Sequence, residues 1–263
     1  GYEISVVGFM KNNEEWLRCW YSHQRGSGKQ LEIRRYVKIK EFGNLLGQYQ
    51  AEGTKYNGNI KKHKLEFTNK LINEHKEFID FLVYLGVPEN LFKFYFCYNP
   101  NKLSKKEAQS HLLKFETMLG YSIKEVKNKQ NKGIGFKLIV RNTLLAEIII
   151  NSMNKVRNLL VNKNKFTYNE KILADNFFAK LLTGDGTLDV RIVNRNFVNV
   201  RVNITDGNIN YLKDYNILFE KLKFHPKILE KHINVRSSCS LKNLLYLYKI
   251  KAFRNTINWN KLL

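Results

Sequence analysis

Residues 45–53 read LLGQYQAEG, and residues 178–186, about half a chain later, read FAKLLTGDG. In both stretches, apolar residues with helical spacing lead to a small residue, a carboxylate and a glycine. A glycine just after the last turn is typical of a helix C-terminus because it adopts the left-handed conformation that ends a helix. The pattern therefore predicts two helices with the carboxylates Glu52 and Asp185 in their last turns.

The placement of these acids is electrostatically unfavourable, because the negative end of the helix dipole lies at the C-terminus. Since the chain makes this choice twice, we expect the acids to serve function rather than stability. Gly43, Gly47 and Ala51 recur at every fourth position and would let a second helix approach closely. If the two helices pack side by side, Glu52 and Asp185 meet, and paired acids of this kind usually hold a divalent metal ion.

The two nine-residue stretches resemble the LAGLIDADG motif of homing endonucleases and align with it without a gap. A single copy would be a weak signal, but two copies at half-chain spacing, each followed by strand-like sequence, are a specific one. The resemblance covers residues 40–263. Lys180 departs from the motif, which usually has a small residue there, and Gln50 and Thr183 replace its first, variable acid.

The resemblance implies an α+β fold of two pseudo-symmetric αββαββα halves, with antiparallel sheets that form a DNA-binding saddle and the motif helices packed at the centre. We assign residues 41–160 to the first half and residues 173–263 to the second. An Asn- and Lys-rich linker, residues 161–172, joins them. Residues 1–40 form an N-terminal extension, either a clamp on DNA or a remnant of a host reading frame, in which residues 14–21 are predicted to be helical.

Local patterns predict further elements. Ser104 and Glu107 have the spacing of a capping box, which predicts a helix over residues 104–119. Because the second half has no counterpart of this helix, we interpret it as an insertion. Alternating apolar and polar residues predict a β-hairpin over residues 187–205, with an Asn-rich turn at residues 194–196.

The charge balance indicates a polyanionic partner. Lys and Arg number 45 against 23 acidic residues, giving a net charge of +22, and the basic residues are spread along the chain rather than gathered in a tail. Such an excess is typical of nucleic-acid binding. A membrane surface is disfavoured, because the sequence has no apolar run long enough to span a bilayer and no basic amphipathic helix.

The cysteines and histidines show no metal-ligand spacing. Cys19, Cys97 and Cys239 are isolated, which predicts buried thiols in a reducing intracellular compartment, cytoplasm or organelle interior. The six histidines form no ligand pair and are expected at the surface or facing DNA. The phosphate-binding patterns GxxxxGK[ST] and GxGxxG do not occur, so nothing indicates a nucleotide-driven machine.

The polar faces of the predicted strands carry Arg, Lys, Asn, Thr and Asp. A two-stranded ribbon of such residues fits the major groove of DNA, where Arg reads guanine, Asn reads adenine and Asp accepts from cytosine. A solvated sheet face is the alternative for any single residue, but the faces together, in so basic a chain, favour DNA contact. The predicted DNA-contacting residues are Lys62, Lys64, Asp189, Arg191, Arg195, Asn199, Arg201, Asn203, Lys231 and Arg236.

The resemblance also implies a reaction. Hydrolysis of a phosphodiester needs an activated water, neutralised phosphate charge and a stabilised leaving oxygen, and Mg²⁺ held by carboxylates supplies all three. Glu52 and Asp185 are the expected ligands, and the resemblance adds the carbonyls of Ala51 and Gly184. We expect Mn²⁺ to substitute for Mg²⁺ and Ca²⁺ to bind without supporting cleavage. Further catalytic candidates are Lys55, three residues after the first acid, and Asn69 and Asp206, at the ends of equivalent strands. Lys137, on the strand before the helix that closes the first half, is another.

Together these patterns predict a monomeric, intron-encoded homing endonuclease. It would bind double-stranded DNA without a protein partner and break both strands at a long, specific site by Mg²⁺-dependent hydrolysis. Two alternatives use the same scaffold: an intron RNA maturase, and a DNA-binding regulator that has lost cleavage. The nuclease is favoured because loss of catalysis would relax the need for both acids, and both are present.

Overall fold

The computed structural model describes residues 5–11, 15–22, 29–54, 64–127, 133–194, 197–229, 234–238 and 240–253. The chain divides into two units. The first comprises Gly1–Lys38 and Glu52–Asn151, and the second comprises Ile39–Ala51 and Ser152–Leu263.

Apart from one short 3₁₀ helix at Glu89–Leu91, the described elements are α-helices and β-strands. In chain order they are β1 (Ser5–Lys11), β2 (Trp16–Ser22), β3 (Lys29–Arg34), α1 (Ile39–Glu52), β4 (Leu65–Asn69), α2 (Ile72–Leu85), β5 (Phe92–Tyr98), α3 (Lys105–Leu119), β6 (Ile123–Lys127), β7 (Ile134–Val140), α4 (Thr143–Asn162), α5 (Tyr168–Asp185), β8 (Gly186–Asn194), β9 (Phe197–Thr205), α6 (Ile209–Lys221), β10 (His225–Leu229), β11 (Asn234–Ser238) and α7 (Leu241–Lys249). The fold is therefore α+β, as predicted.

The second unit follows the predicted order of helix, hairpin, helix, hairpin, helix from α5 to α7. Its four strands form an antiparallel sheet in the order β10-β11-β9-β8. Helices α5 and α6 pack against this sheet, and Val202, Ile204 and Val235 on its inner face are fully buried. The predicted hairpin is confirmed, since Asn194 of β8 pairs with Phe197 of β9.

The first unit repeats this strand arrangement in part. Strand β7 lies between β4 and β5 and pairs antiparallel with both, as β11 does between β9 and β10. One edge of the sheet differs from the prediction, because β6 pairs with β5 in parallel. A parallel neighbour needs a long crossover connection, and α3 provides it. The inserted helix is confirmed, with its Ser104–Glu107 capping box, but the insertion also adds a strand.

Residues of the N-terminal extension form a three-stranded antiparallel sheet, β1-β2-β3. The predicted helix over residues 14–21 is wrong, because β2 is the central strand of this sheet. A short apolar run fits both helical and extended periodicities, and here pairing with two neighbouring strands decides between them. Arg34 attaches the sheet to α2: its guanidinium lies 4.8 Å from the ring centroid of Trp16 and 4.9 Å from that of Tyr84, and its Nε donates to the Tyr84 carbonyl at 2.7 Å.

Within the second unit, α1 packs against α5 through the predicted small residues. A β-carbon added to Gly47 would lie 2.9 Å from the Cα of Phe177, and one added to Gly43 would lie 2.9 Å from the carbonyl oxygen of Leu173. Real β-carbons do not come this close to backbone atoms. The two motif helices therefore approach backbone to backbone, which only glycine permits at these positions.

The end of the second motif differs from the prediction. Gly186 is not left-handed: its φ of −93° and ψ of 158° are extended, and it is the first residue of β8. Glycine is required there because a β-carbon would lie 2.9 Å from the Cα of Leu182. Left-handed glycines do end α2 and α3, at Gly86 (φ 102°) and Gly120 (φ 75°).

The connection between α4 and α5 is residues 163–167, shorter than the predicted linker of residues 161–172. Helix α4 extends into one end of that segment and α5 into the other. Thr167 caps α5, accepting a hydrogen bond from the backbone of Glu170 while the Glu170 carboxylate accepts one from the Thr167 backbone. No helix in the described ranges is both long and apolar enough to cross a bilayer.

Candidate active site and polar sheet faces

Glu52, the acid of the first motif, is the last residue of α1 and is half-buried. Asn69, the last residue of β4, donates from Nδ2 to Glu52 Oε1 at 3.1 Å. Its Oδ1 accepts from the backbone N–H of Leu71 at 2.8 Å, and its carbonyl accepts from His75 Nε2 at 3.0 Å. Asn69 is therefore held from two sides and fixes the orientation of the Glu52 carboxylate.

His75 is fully buried, so the expectation of surface or DNA-facing histidines is wrong at this position. Burial lowers the pKa of His75 to about 4, because its charged form would lose hydration. The neutral ring contacts Phe67 edge-on, with ring centroids 5.1 Å apart. His75 therefore supports Asn69 as a neutral donor and adds no charge beside Glu52. Sequence reasoning missed this role because the residue lies inside an ordinary amphipathic helix.

A buried carboxylate that sequence reasoning also missed lies on the same strand as Asn69. Glu66 is 6% exposed and pairs with Lys64 and with Lys137, whose Nζ is 3.3 Å from Glu66 Oε2. Thr54 donates to the same oxygen at 3.3 Å. Burial alone would raise the pKa of Glu66, but the hydrogen bonds and charges of the two lysines outweigh it and hold that pKa below its usual value.

This cluster changes the interpretation of two predicted residues. Lys137, a catalytic candidate, and Lys64, a predicted DNA contact, converge on one carboxylate, that of the second residue of β4. Thr54 ties the same carboxylate to the segment directly after Glu52, since its backbone N–H donates to the Glu66 carbonyl at 3.0 Å. Both ammonium groups are thus fixed in the neighbourhood of the first motif rather than free on long side chains.

Asp185, the acid of the second motif, is the last residue of α5 and is half-buried. Asp206 follows β9 and accepts from the backbone of Asn208 at 2.9 Å and from the Tyr215 hydroxyl at 3.2 Å. Asn69, at the end of β4, likewise accepts a hydrogen bond from the backbone N–H two residues later, that of Leu71. The prediction that these two strand ends are equivalent is therefore confirmed.

Tyr215 lies near two carboxylates, Asp206 and Asp185, and near the guanidinium of Arg157. Burial, followed by the charges of Asp206 and Asp185, raises the pKa of the Tyr215 hydroxyl well above its usual value. Two carboxylates therefore act on one neutral hydroxyl.

A buried hydrogen-bond chain joins the first motif to Asp206 inside the second unit. Gln50 is fully buried, donates to the Tyr215 hydroxyl at 2.8 Å and accepts from Arg157 Nη1 at 3.0 Å. Arg157 Nε lies 2.9 Å from Asp214 Oδ2. Buried polar groups need such partners, so Gln50 is explained as the link between Arg157 and Tyr215. Sequence reasoning missed Arg157 and Tyr215, which belong to helices far along the chain.

Thr183 occupies the position in the second motif that Gln50 occupies in the first. Its hydrogen-bond partners are backbone groups rather than side chains. Its hydroxyl donates to the Ala179 carbonyl at 2.8 Å and accepts from the backbone N–H of Phe253 at 3.0 Å. The two residues that replace the motif's first acid therefore have structural partners.

The second sheet places predicted DNA contacts on one face. Register pairs Thr187 with Asn203, Asn203 with Arg236, and Arg236 with Lys227, which forms one row across four strands. Arg236 Nε donates to Asn203 Oδ1 at 2.8 Å. A neighbouring row pairs Asp189 with Arg201. The outer face is thus polar, with three basic residues against one acid, and it lies opposite the buried valines and isoleucine. Lys227 is a member of this face that sequence reasoning missed.

The first sheet has a comparable polar row. Register pairs Thr68 with Lys137, Lys137 with Tyr95, and Tyr95 with Lys124. Tyr95 and Lys124 were not predicted as contacts. Lys124 was missed because the parallel strand β6 that brings it to this face was not predicted.

Six of the predicted site residues have side chains that the structure does not describe. Lys55, Lys62, Arg195 and Lys231 lie outside the described residues. Arg191 and Asn199 are register partners in the hairpin, but their side chains lie outside the described part of the chain.

The described residues contain no cluster of three or more His, Cys, Asp and Glu side chains arranged to hold a metal ion. Mg²⁺ binds through one or two carboxylates and completes its shell with water and phosphate, so a single acid with an adjacent carbonyl supplies donors of the kind that Mg²⁺ takes. Glu52 and Asp185 each follow a residue whose carbonyl lies in the last turn of a helix, Ala51 and Gly184. Taken separately, each acid with the carbonyl beside it offers oxygen donors that suit Mg²⁺ chemically.

The described cysteines differ from the expectation of buried thiols. Cys19 and Cys97 form no disulfide bond and are half-buried rather than buried. Burial raises the pKa of both thiols, which keeps them protonated and weakly nucleophilic. Cys239 lies outside the described residues.

Comparisons with known proteins give structural neighbours alone. No protein-family model matches the chain, and no curated protein matches it. Two similar solved structures are crystal structures of the meganuclease I-SmaMI bound to uncleavable DNA. The one with a TTGT central four has 10% sequence identity, a TM-score of 0.41, and a match over 82% of this chain and 84% of that chain. The one with a TTCT central four has 10% identity, a TM-score of 0.42, and covers 82% and 85%.

Proposed function

We propose that the chain is a DNA endonuclease of the LAGLIDADG homing type, which breaks both strands of a long, specific site by Mg²⁺-dependent hydrolysis. One observation carries the proposal. Each motif helix ends in its acid and leads directly into sheet: Gly186 opens β8, and Gly53 bridges to Phe67 of β4. The acid is thus attached to a sheet whose outer face is polar and basic. Fixed acids beside a phosphate-binding surface are what metal-assisted phosphodiester hydrolysis requires.

Each described residue near the acids has a distinct task in this proposal. Glu52 and Asp185 hold Mg²⁺, with the carbonyls of Ala51 and Gly184. When bound, Mg²⁺ supplies an activated water and neutralises charge on the phosphate. Asn69 keeps the Glu52 carboxylate oriented.

The basic and phenolic groups complete the proposed site. Lys137, fixed by Glu66, places positive charge where the transition state gains negative charge, and Lys55 stays a candidate for the same task. Tyr215 holds Asp206 in place through its hydroxyl. We expect Mn²⁺ to replace Mg²⁺ and Ca²⁺ to support binding without cleavage.

DNA recognition is proposed to rest on the rows of polar residues across the sheets. Lysine and arginine contacts to phosphate supply affinity that falls with salt, and we expect a log–log slope on the order of −5 or steeper. Arg201 lies in the centre of the second sheet beside Asp189. Arg201→Ala is expected to relax preference at particular base pairs, at a cost of roughly 1–3 kcal/mol there.

Binding to duplexes with single base-pair changes tests this expectation. Lys106→Ala on the exposed side of α3 is the matched control, since it removes one positive charge away from the sheet. An equal loss for every duplex with Arg201→Ala would reassign this arginine to phosphate contact.

The stoichiometry follows from the presence of both motifs in one chain. We expect one protein chain to bind one duplex, because the chain supplies two acid-bearing helices without a partner. Light-scattering mass measurement of the complex would show one chain per duplex. Two chains on each site would contradict the monomeric assignment.

The experiment that tests the proposed activity is selection from a randomised duplex library. The protein is incubated with the library in Mg²⁺, and cut ends are sequenced against an incubation in EDTA. The proposal predicts recurrent cut ends that define a long site in the Mg²⁺ sample alone. Duplex binding without cut ends would favour the regulator, and preference for structured intron RNA without DNA cutting would favour the maturase.

A further inference from the structure

A groove with a volume of about 1350 Å³ lies in the second unit, away from the residues discussed so far. It is lined by the connection between α4 and α5, the N-terminal half of α5, the C-terminal end of α6, both ends of α7 and the N-terminus of α1. Its exposed basic side chains are Lys40, Lys165, Lys223, Lys242, Lys249 and Lys251. Among the described residues that line it, Asp175 is the single acid, and it is paired with Lys171 and the Tyr246 hydroxyl. The groove is therefore strongly positive.

The groove is separated from the motif acid of the same helix. Its nearest lining residue on α5 is Asn176, nine residues before Asp185, and Tyr168 is at the other end of the helix. At about 1.5 Å per residue, these positions lie roughly 14 Å and 25 Å from Asp185 along the axis. One rim includes His225 and Ser238, so the groove begins at an edge of the second sheet and runs away from it.

Two of the lysines occupy backbone positions at which glycine would be easier. Lys223 (φ 64°) and Lys251 (φ 61°) are left-handed residues just after α6 and α7. This conformation costs a non-glycine residue about 1–2 kcal/mol. Helices α2 and α3, outside the groove, use glycine at the equivalent position, Gly86 and Gly120. The described part of the chain thus has glycine at two such helix ends and lysine at the two that face the groove.

Packing does not account for these lysines. The third left-handed non-glycine residue described is Phe253, which is 2% exposed and belongs to the core. Lys223 and Lys251, in contrast, are exposed. Strained residues that are retained without a packing reason tend to mark functional sites, and what these two supply to the groove is charge.

We propose that this groove is a second nucleic-acid-binding surface, which holds a phosphate backbone without reading sequence. Lysine suits this task, because its ammonium group is a compact charge that approaches phosphates from many directions, whereas planar bidentate recognition uses arginine. All six exposed basic residues of the groove are lysines, whereas the outer face of the second sheet carries Arg201 and Arg236. The ligand we propose is DNA that flanks the cleavage site, because the groove begins at the second sheet, on which the proposed DNA recognition rests. An RNA strand shares this backbone chemistry and is the alternative outcome of the test.

The test variant is Lys223→Gly with Lys251→Gly, which removes charge while relieving the left-handed strain. Its melting temperature is expected to equal or exceed that of the wild type, so a binding change cannot be assigned to unfolding. The control is Lys106→Gln with Lys114→Gln, two exposed positions on α3 that remove the same charge. Binding is measured by fluorescence anisotropy over a salt series, without divalent metal, on a duplex of unrelated sequence and on single-stranded RNA.

The groove variant is expected to bind several-fold more weakly at low salt. Its log–log salt slope should become shallower by about 1.8 on duplex DNA, or by about 1.4 on single strands, since each lost phosphate contact removes about 0.9 or 0.7. The control should change the slope by less than about half of the change expected for one lost phosphate contact. A loss confined to the duplex identifies flanking DNA as the ligand, and a loss confined to RNA identifies an RNA strand.

If the groove and control variants lost equal binding affinity, the effect would be explained by net charge alone and the proposal would be overturned. It would also be overturned if neither variant lost affinity. The measurement uses neither a target site nor a metal ion. Failure of the nuclease proposal would therefore appear in the library selection and leave this result unchanged.

Discussion

Glu52→Gln and Asp185→Asn are each expected to slow double-strand cleavage by roughly 10²–10³-fold, the loss typical when a preorganised charge-stabilising group is removed. Both substitutions keep the shape of the side chain and remove the charge that binds a metal ion. Specific DNA binding should persist and can even strengthen, because a negative charge beside the phosphates repels them when no cation intervenes. Cleavage rates and binding to the selected duplex are measured side by side.

Asp80→Asn is the matched control for this pair, since Asp80 is an exposed acid on α2 and its loss changes the net charge equally. It should cleave like the wild type. Strand-resolved gels then separate two mechanisms: nicking of one strand by a single variant means that each acid serves one strand, and failure of both cuts means that the metals are shared. Wild-type cleavage by both single variants would remove these acids from the mechanism.

Gly47→Ala is expected to lower the free energy of unfolding by about 1–3 kcal/mol, the usual cost of overpacking. Helix propensity alone predicts the opposite sign, because alanine in a helix is more favourable than glycine by about 1 kcal/mol. Overpacking should win, since the added methyl group would meet the Phe177 backbone, which cannot turn aside as a side chain can. Urea denaturation measures the change.

Gly207→Ala is the control for this prediction. Nothing lies within 4 Å of a β-carbon at Gly207, so its stability should change by no more than about 0.5 kcal/mol. A Gly47→Ala variant more stable than the wild type would show that α1 and α5 do not approach closely at this point.

The second half of the chain could be predicted from sequence because its patterns are local and unambiguous. Strict alternation around an Asn-rich turn fixes the β8–β9 hairpin, and the motif places Asp185 at the end of α5. In the first half, the small-residue spacing of Gly43 and Gly47 also correctly predicted the close packing of α1 against another helix. In each case the sequence has a periodicity that fits only one kind of element, either a strand or a helix.

The errors arose where partners distant in sequence decide the structure. The apolar residues of β2 fit a helix equally well until β1 and β3 pair with them on both sides. The sequence of β6 does not show that it pairs in parallel with β5, because strand direction depends on the connection. Gly186 was assigned a left-handed cap, whereas the need for glycine comes from contact with Leu182.

The candidate site was predictable only as far as its motif acids and strand ends. Asn69 and Asp206 were identified by their equivalent positions, and they make equivalent turns. Glu66 was not identified, because a lone acid on a strand ordinarily faces solvent, and only the pairing of β4 with β7 brings Lys137 to it. Buried partners such as Arg157 and Tyr215 meet Gln50 through tertiary folding, which no local pattern records.

The central claim, that Glu52 and Asp185 carry metal-dependent cleavage, is tested most directly with the double variant Glu52→Gln with Asp185→Asn. Wild type and double variant are each incubated with the selected duplex in Mg²⁺ and in EDTA, and binding and both strand cuts are measured. We expect the wild type to cut both strands in Mg²⁺ alone, and the double variant to bind the duplex and cut neither strand. Full cleavage by the double variant would contradict the claim.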